Sequence, residues 1–135
     1  MKFLVLASLL FTATQFAATP SLALPDGGIF CENNDHTSDD YMGVQIRDGV
    51  VTFEFWESSF DPIKATVAGV NTFAIVEEKV KASGEGNEWI FIFSAFLVYN
   101  SQTNELSITS VEIDDGDQRN PRTNVLPCRI GSSDL

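Results

Sequence analysis

Two stretches of the 135-residue chain concentrate the side chains able to do chemistry. Residues 32–40, "ENNDHTSDD", hold Glu32, Asp35, Asp39, Asp40 and the only histidine, His36; residues 112–120, "EIDDGDQRN", hold Glu112, Asp114, Asp115 and Asp117. Carboxylate and carbonyl oxygens are the ligands a hard cation such as calcium takes, and three Asp surround Gly116 in the second stretch. The alternating ligand spacing and closing Glu of an EF-hand loop are missing. Both stretches are therefore expected to be solvated turns, with Arg119 and Arg122 offsetting part of the charge of the second. No metal ligand set and no cofactor is assigned.

Covalent and acid–base chemistry find little support. A catalytic triad needs a nucleophile and an orienting acid around its histidine, yet His36 lies in a polar loop and no serine sits in a GxSxG turn. Glu54 and Glu57 have the residue types of a glycosidase pair, but Glu54 falls on the wet face of a hairpin, where an ordinary solvated carboxylate is expected. The protein is not expected to be an enzyme. Cys31 and Cys128 are the only cysteines; without a CxxC spacing or nearby His ligands they are expected to pair as a disulfide. In the chain-entropy model a bridge enclosing nearly the whole fold contributes roughly 4 to 5 kcal/mol.

The elements that must position these groups are strands. "VQIRDGVVTFEFWESSF", residues 44–60, alternates apolar and polar side chains about Asp48-Gly49, a strong two-residue hairpin signal because both central positions of a type I′ turn need positive φ. If Arg47 faces Val50, then Ile46 faces Val51, Val44 faces Phe53 and Met42 faces Phe55, giving an apolar face; slipping by one residue would expose the Phe rings. The other face carries Tyr41 opposite Trp56, expected as a cross-strand aromatic pair or as the start of a binding patch.

Further strands are expected at 63–68 and 72–80 around a break at Gly69-Val70-Asn71, with Phe73 and Ile75 on one face and Ala74 and Val76 on the other. "KASGEGNE", residues 81–88, is expected as a flexible charged loop. "WIFIFSAFLVY", residues 89–99, is apolar on both faces, so one face should need a cover, a cavity or an interface. A turn with Asn104 at positive φ leads into a strand at 105–113. "DDGDQRNPRTNVLP" is expected as loop, and "CRI" as a short edge strand beside "GIFCE". No internal repeat or amphipathic helix is found.

The expected fold is all-β: a small antiparallel up-and-down β-barrel of about seven or eight short strands, closed by one disulfide, with a two-layer β-sandwich as the alternative. Residues 1–23, "MKFLVLASLLFTATQFAATPSLA", have the basic start, short apolar run and small-residue end of a secretory signal peptide, leaving 24–135 as one exported domain, periplasmic or extracellular, with no membrane contact after cleavage.

Losing Lys2 with that segment leaves seven Lys and Arg against nineteen Asp and Glu, a net charge of −12. Nucleic acid and anionic lipid would be repelled by it, and a cationic protein welcomed. These features point to an exported, non-enzymatic binding protein that presents acidic loops to a cationic protein. An inhibitor of a basic hydrolase, such as a lysozyme inhibitor, would work this way, an analogy of scaffold alone. A barrel holding a small apolar ligand and a calcium-dependent module or enzyme on the acidic loops are the alternatives. The candidate binding residues are Tyr41, Trp56, Asp114, Asp115 and Asp117.

Overall fold

A computed structural model describes residues 24–34 and 36–131. The expected signal segment, Asp35 and residues 132–135 lie outside the described residues. Eleven strands and no helix occur among the described residues: β1 (Ile29–Glu32), β2 (Met42–Arg47), β3 (Val50–Phe55), β4 (Ser58–Phe60), β5 (Ile63–Lys64), β6 (Thr66–Gly69), β7 (Thr72–Gly84), β8 (Asn87–Asn100), β9 (Glu105–Asp114), β10 (Asp117–Gln118) and β11 (Arg122–Ile130).

The strands close into an eight-strand antiparallel barrel. Three short pieces, β4, β5 and β6, share one stave: β4 pairs with both β3 and β7, β5 with β3, and β6 with β7. The circuit then runs β7, β8, β9, β11 and back to β1, with β10 a short arm on β9. Because β1 pairs with β2 on one side and β11 on the other, the sheet has no open ends at this seam, which rules out the sandwich.

The first hairpin has the expected register, from Arg47 opposite Val50 to Met42 opposite Phe55, with Asp48 and Gly49 both at positive φ. Val44, Ile46, Val51 and Phe53 are all buried. Phe73 and Ile75 share a face as expected, and it points inward, but the alternation then resets at a β-bulge between Ile75 and Glu78, where Glu77 has a φ of 48°. The extra residue lets Val80 and Ala82 take over the inward positions.

Residues 81–88 are therefore not a flexible loop: β7 continues to Gly84, β8 begins at Asn87, and only Glu85-Gly86 turns, both at positive φ. A side chain at 84 would collide with the Glu57 carbonyl and with Ser58, so glycine there allows the neighbouring turn to close down on β7. Of the expected loop after residue 113, only the Asp115-Gly116 turn and residues 119–121 lie outside strands; β10 lies between them, and the nine-residue β11 that follows closes the barrel and is not an edge.

The barrel interior is filled, as a narrow barrel's must be. Ile29, Leu97, Leu106 and Ile108 lie at one part of the core, while Phe53, Phe60, Phe91 and Phe93 interlock elsewhere with centroids 5.0 to 5.4 Å apart at the Phe60–Phe91, Phe53–Phe93 and Phe60–Phe93 contacts. Tilted and edge-to-face packing of this kind adds to simple burial. The two-sided apolar strand β8 turns Phe91, Phe93, Leu97 and Tyr99 into this core; Ile90, Ile92, Phe96 and Val98 face outward and stay exposed, without a second layer among the described residues.

Cys31 lies opposite Cys128 across the β1–β11 seam, and the two are disulfide-bonded with a sequence separation of 97. Asn104, at a φ of 58°, braces the same place: its side-chain amide donates to the Cys128 carbonyl, its own carbonyl accepts from the Cys128 N–H, and its Oδ1 accepts from the Tyr99 hydroxyl at 2.8 Å. The Cys31→Ala/Cys128→Ala double variant is expected to lose about 4 kcal/mol of stability, read as a lower urea midpoint; an unchanged midpoint would show that the backbone pairing alone holds the seam.

Candidate functional site

Alternating strand directions place loop 33–41, turn 56–57, turn 85–86 and turn 115–116 at one end of the barrel, and turns 48–49, 70–71 and 101–104 at the other. The two acidic stretches, distant in sequence, thus share an end. Glu54, Glu57, Glu85 and Glu88 join them there.

Loop 33–41 is folded onto the outer face of the barrel. Asn33 ties its two ends: its Oδ1 accepts from the Met42 N–H at 3.0 Å, and its amide donates to the Asp40 carbonyl. Beneath it lies Glu32, the one buried charged residue among those described. Its carboxylate accepts from Arg129 at 2.8 Å and from the Tyr41 hydroxyl at 3.0 Å, with His36 Nε2 at 3.4 Å. Phe30, on the same outward side of β1, is covered by the Arg129 guanidinium 4.6 Å above its ring. Gly43 allows this packing, since a side chain there would press on the Tyr41 hydroxyl at 2.8 Å and on the Phe30 ring at 3.3 Å.

Tyr41 is consequently buried, and its ring meets His36 at 4.8 Å; it makes no ring contact with Trp56, so the expected aromatic pair does not form. Burial first, then the hydrogen bond to Glu32 and the negative charges of Glu32 and Glu54, push the Tyr41 phenol from 10.0 up to about 12, against a lowering pull from Arg129. Trp56 remains 46% exposed at the β3–β4 turn.

A groove of about 610 Å³ opens beside this loop, with Tyr41 and His36 at one side, Glu54, Trp56 and Glu57 along it, and the hydroxyls of Ser59 and Ser83 opposite. Among the described residues no Lys or Arg lines it. The Glu57 carboxyl is held above the usual carboxylate range, chiefly by a hydrogen bond to the Glu85 side chain and by the repulsion of that charge, with smaller effects of desolvation and Asp39. Glu57, which lines the groove, is thus crowded by a second acid from the neighbouring turn.

The remaining candidates lie on the neighbouring β9–β10 turn. Asp115, at a φ of 47°, and Gly116 form its tip, and Asp117 pairs with Asp114 across it. Among the described residues no three His, Cys, Asp or Glu side chains converge as a metal site requires. Asp114 lines a separate cavity at the barrel mouth with Glu112, Arg119 and Arg122, whereas Asp115 and Asp117 line neither opening. Sequence reasoning named Tyr41 and Trp56 but not Glu85 as a neighbour of Glu57, because their contact depends on two turns from different hairpins meeting at Gly84.

The chain matches no protein-family model, no curated protein and no solved structure.

Two outcomes follow from the loop's anchoring. Folded Tyr41 keeps its proton where an unfolded tyrosine ionises, so its contribution to stability is whole below pH 10 and is lost as pH rises from 10 to about 12. Urea unfolding across that window should show an alkaline fall that is smaller in Tyr41→Phe; equal falls would refute the linkage. Glu32→Ala, which strips Arg129 and Tyr41 of their shared acceptor, is expected to cost about 1–3 kcal/mol and to make loop 33–41 the first site of limited proteolysis.

Proposed function

We propose that this protein is an exported, non-enzymatic binding protein whose acidic barrel end engages a cationic protein, with the groove between Trp56 and the Glu57–Glu85 pair receiving a Lys or Arg side chain. The disulfide is consistent with an oxidising compartment outside the cytoplasm, and the apolar amino-terminal segment accords with export. One observation carries the reading: an exposed tryptophan and two carboxylates line a groove that contains no Lys or Arg, and one of those carboxylates is already strained by a like-charged neighbour.

An incoming cation is attracted on three counts. The ring face of Trp56 attracts an ammonium or guanidinium group, Glu54 and Glu57 supply acceptors, and a positive charge between Glu57 and Glu85 relieves their repulsion. The rigid hairpin ends limit the ordering cost on binding. A basic hydrolase of the lysozyme type is one such partner, and occlusion of its cleft would make this protein an inhibitor.

The test begins with capture from extracellular fluid by the immobilised domain, followed by titration with the captured protein. Affinity should fall on the order of tenfold between low and physiological salt, and should drop in both Trp56→Ala and Glu57→Gln. Free Glu57 holds its proton above the ordinary 4.5, and a bound cation favours the ionised form. Affinity should therefore rise as pH increases through the range just above the usual carboxylate value, and Glu57→Gln should flatten that rise. Salt-insensitive binding, or none, would remove the proposal.

A further inference from the structure

The inner surface of the barrel changes character along β9 and β11. On β9 the inward positions are Leu106, Ile108, Ser110, Glu112 and Asp114: Leu106 and Ile108 are fully buried opposite Tyr99 and Leu97, and Glu112 stands opposite the core residue Phe93. On β11, Leu126 faces Leu106, Asn124 faces Ile108 and Arg122 faces Ser110. Both strands thus begin apolar at one end of the barrel and become polar and charged on the same inward face toward the acidic end. Meanwhile Val111 and Ile113 take the outward positions, with Ile113 beside the exposed Ile92.

This is the reverse of what burial alone favours. A one-residue slip of this half of β9 would turn Val111 and Ile113 inward and carry Glu112 and Asp114 into water. The register is held instead by Leu106 and Ile108 at the far end. A local rule broken without a packing gain marks the place to look for function.

Across from this charged wall the barrel stays aromatic. Phe55, Phe60, Trp89 and Phe91 face Glu112, Asp114, Arg119 and Arg122 over a cavity of about 380 Å³, within the usual span for small-molecule sites. The Arg119 side chain is occupied: its guanidinium lies 3.5 Å from the Glu112 carboxylate, while the Arg119 backbone N–H donates to the Glu112 carbonyl. Among the described residues Arg122 has no ion-pair partner.

We propose that the barrel mouth binds a small carboxylate with a ring-sized apolar body, its ring against Trp89, Phe60 and Phe91 and its carboxylate on Arg122. The site is distinct from the Trp56–Glu57 groove, and the proposal does not depend on a protein partner. The guanidinium gives a planar, two-pronged donor for a carboxylate, while the rings remove the apolar body from water. Asp114 at the lip disfavours a second negative charge, so the class is monocarboxylates.

Calorimetric titration of the purified protein with phenylacetate tests this, alongside benzyl alcohol and phenethylamine as uncharged and cationic counterparts. Saturable binding of phenylacetate in preference to both is expected, weakened about tenfold by Arg122→Gln, the change that loss of one charged hydrogen bond predicts. Trp89→Leu should weaken it from the opposite wall. Thermal unfolding establishes that each variant is folded; should one variant fail to fold, the other decides. Absence of saturable phenylacetate binding, a preference for phenethylamine, or full affinity in a folded Arg122→Gln or Trp89→Leu variant would overturn the proposal.

Discussion

Closure of the sheet between β1 and β11 is the constraint on which the molecule depends. A narrow barrel has an inside only when its first and last strands meet, and here β1 and β11 meet with their paired cysteines 97 residues apart, so the seam closes a long loop. Such a contact is entropically expensive to close. Cys31 and Cys128 sit opposite each other at that seam, and the bond between them removes much of the closure cost from the unfolded chain. Asn104 then ties the β8–β9 turn to the same carbonyl and N–H of Cys128, which carries the rigidity of the longest hairpin into the seam.

With the circuit closed, side-chain parity decides everything else, because each position faces either the core or the outside. Parity explains the aromatic interior and the wet face of the first hairpin. Its exceptions are equally informative. On β1, Phe30 and Glu32 face outward yet are buried, and a lid has to be supplied: loop 33–41 with Tyr41, and Arg129 from the neighbouring strand. On β9, Glu112 and Asp114 occupy inward positions, and the interior opens into a mouth where packing ends. On β8, Ile92 and Phe96 face outward with nothing over them.

Much of this was legible in the sequence wherever one residue type settles a backbone conformation. Asp48-Gly49 and Asn104 are turn residues at positive φ, and from the first the pairing of Met42 to Phe55 follows by counting. The two cysteines indicated which strands adjoin. Counting failed at Glu77, since a bulge carries no compositional mark and shifts the alternation by one; beyond it, Ala82 no longer reads as a core position, and Lys81 to Glu88 looks like a charged loop. It failed again at β11, where Asn124 and Pro127 give weak strand propensity, and pairing with β1 and β9 overrides it. Of the candidate site, Trp56 could be named because counting outward from Asp48-Gly49 puts it on the outer face of the first hairpin. The groove around it could not, since it arises only when the β3–β4 and β7–β8 turns are brought together at Gly84.

The two openings at the acidic end differ in what they can recognise, and the difference comes from how their charges are already spent. Along the outer groove the lining carboxylates have no Lys or Arg, and Glu57 leans on Glu85, so the unmet demand is for positive charge. In the barrel mouth Glu112 has Arg119, which leaves Arg122 facing an aromatic wall, so the demand there is for a carboxylate on an apolar body. A net charge alone would have suggested one kind of partner for the whole surface. Phe55 and Ser58 line both openings, and a ring inserted at the mouth would press on the strand that carries Glu54 and leads into Trp56. Occupation of one site is thereby expected to bear on the other through that shared wall, a coupling that is reciprocal by thermodynamic necessity.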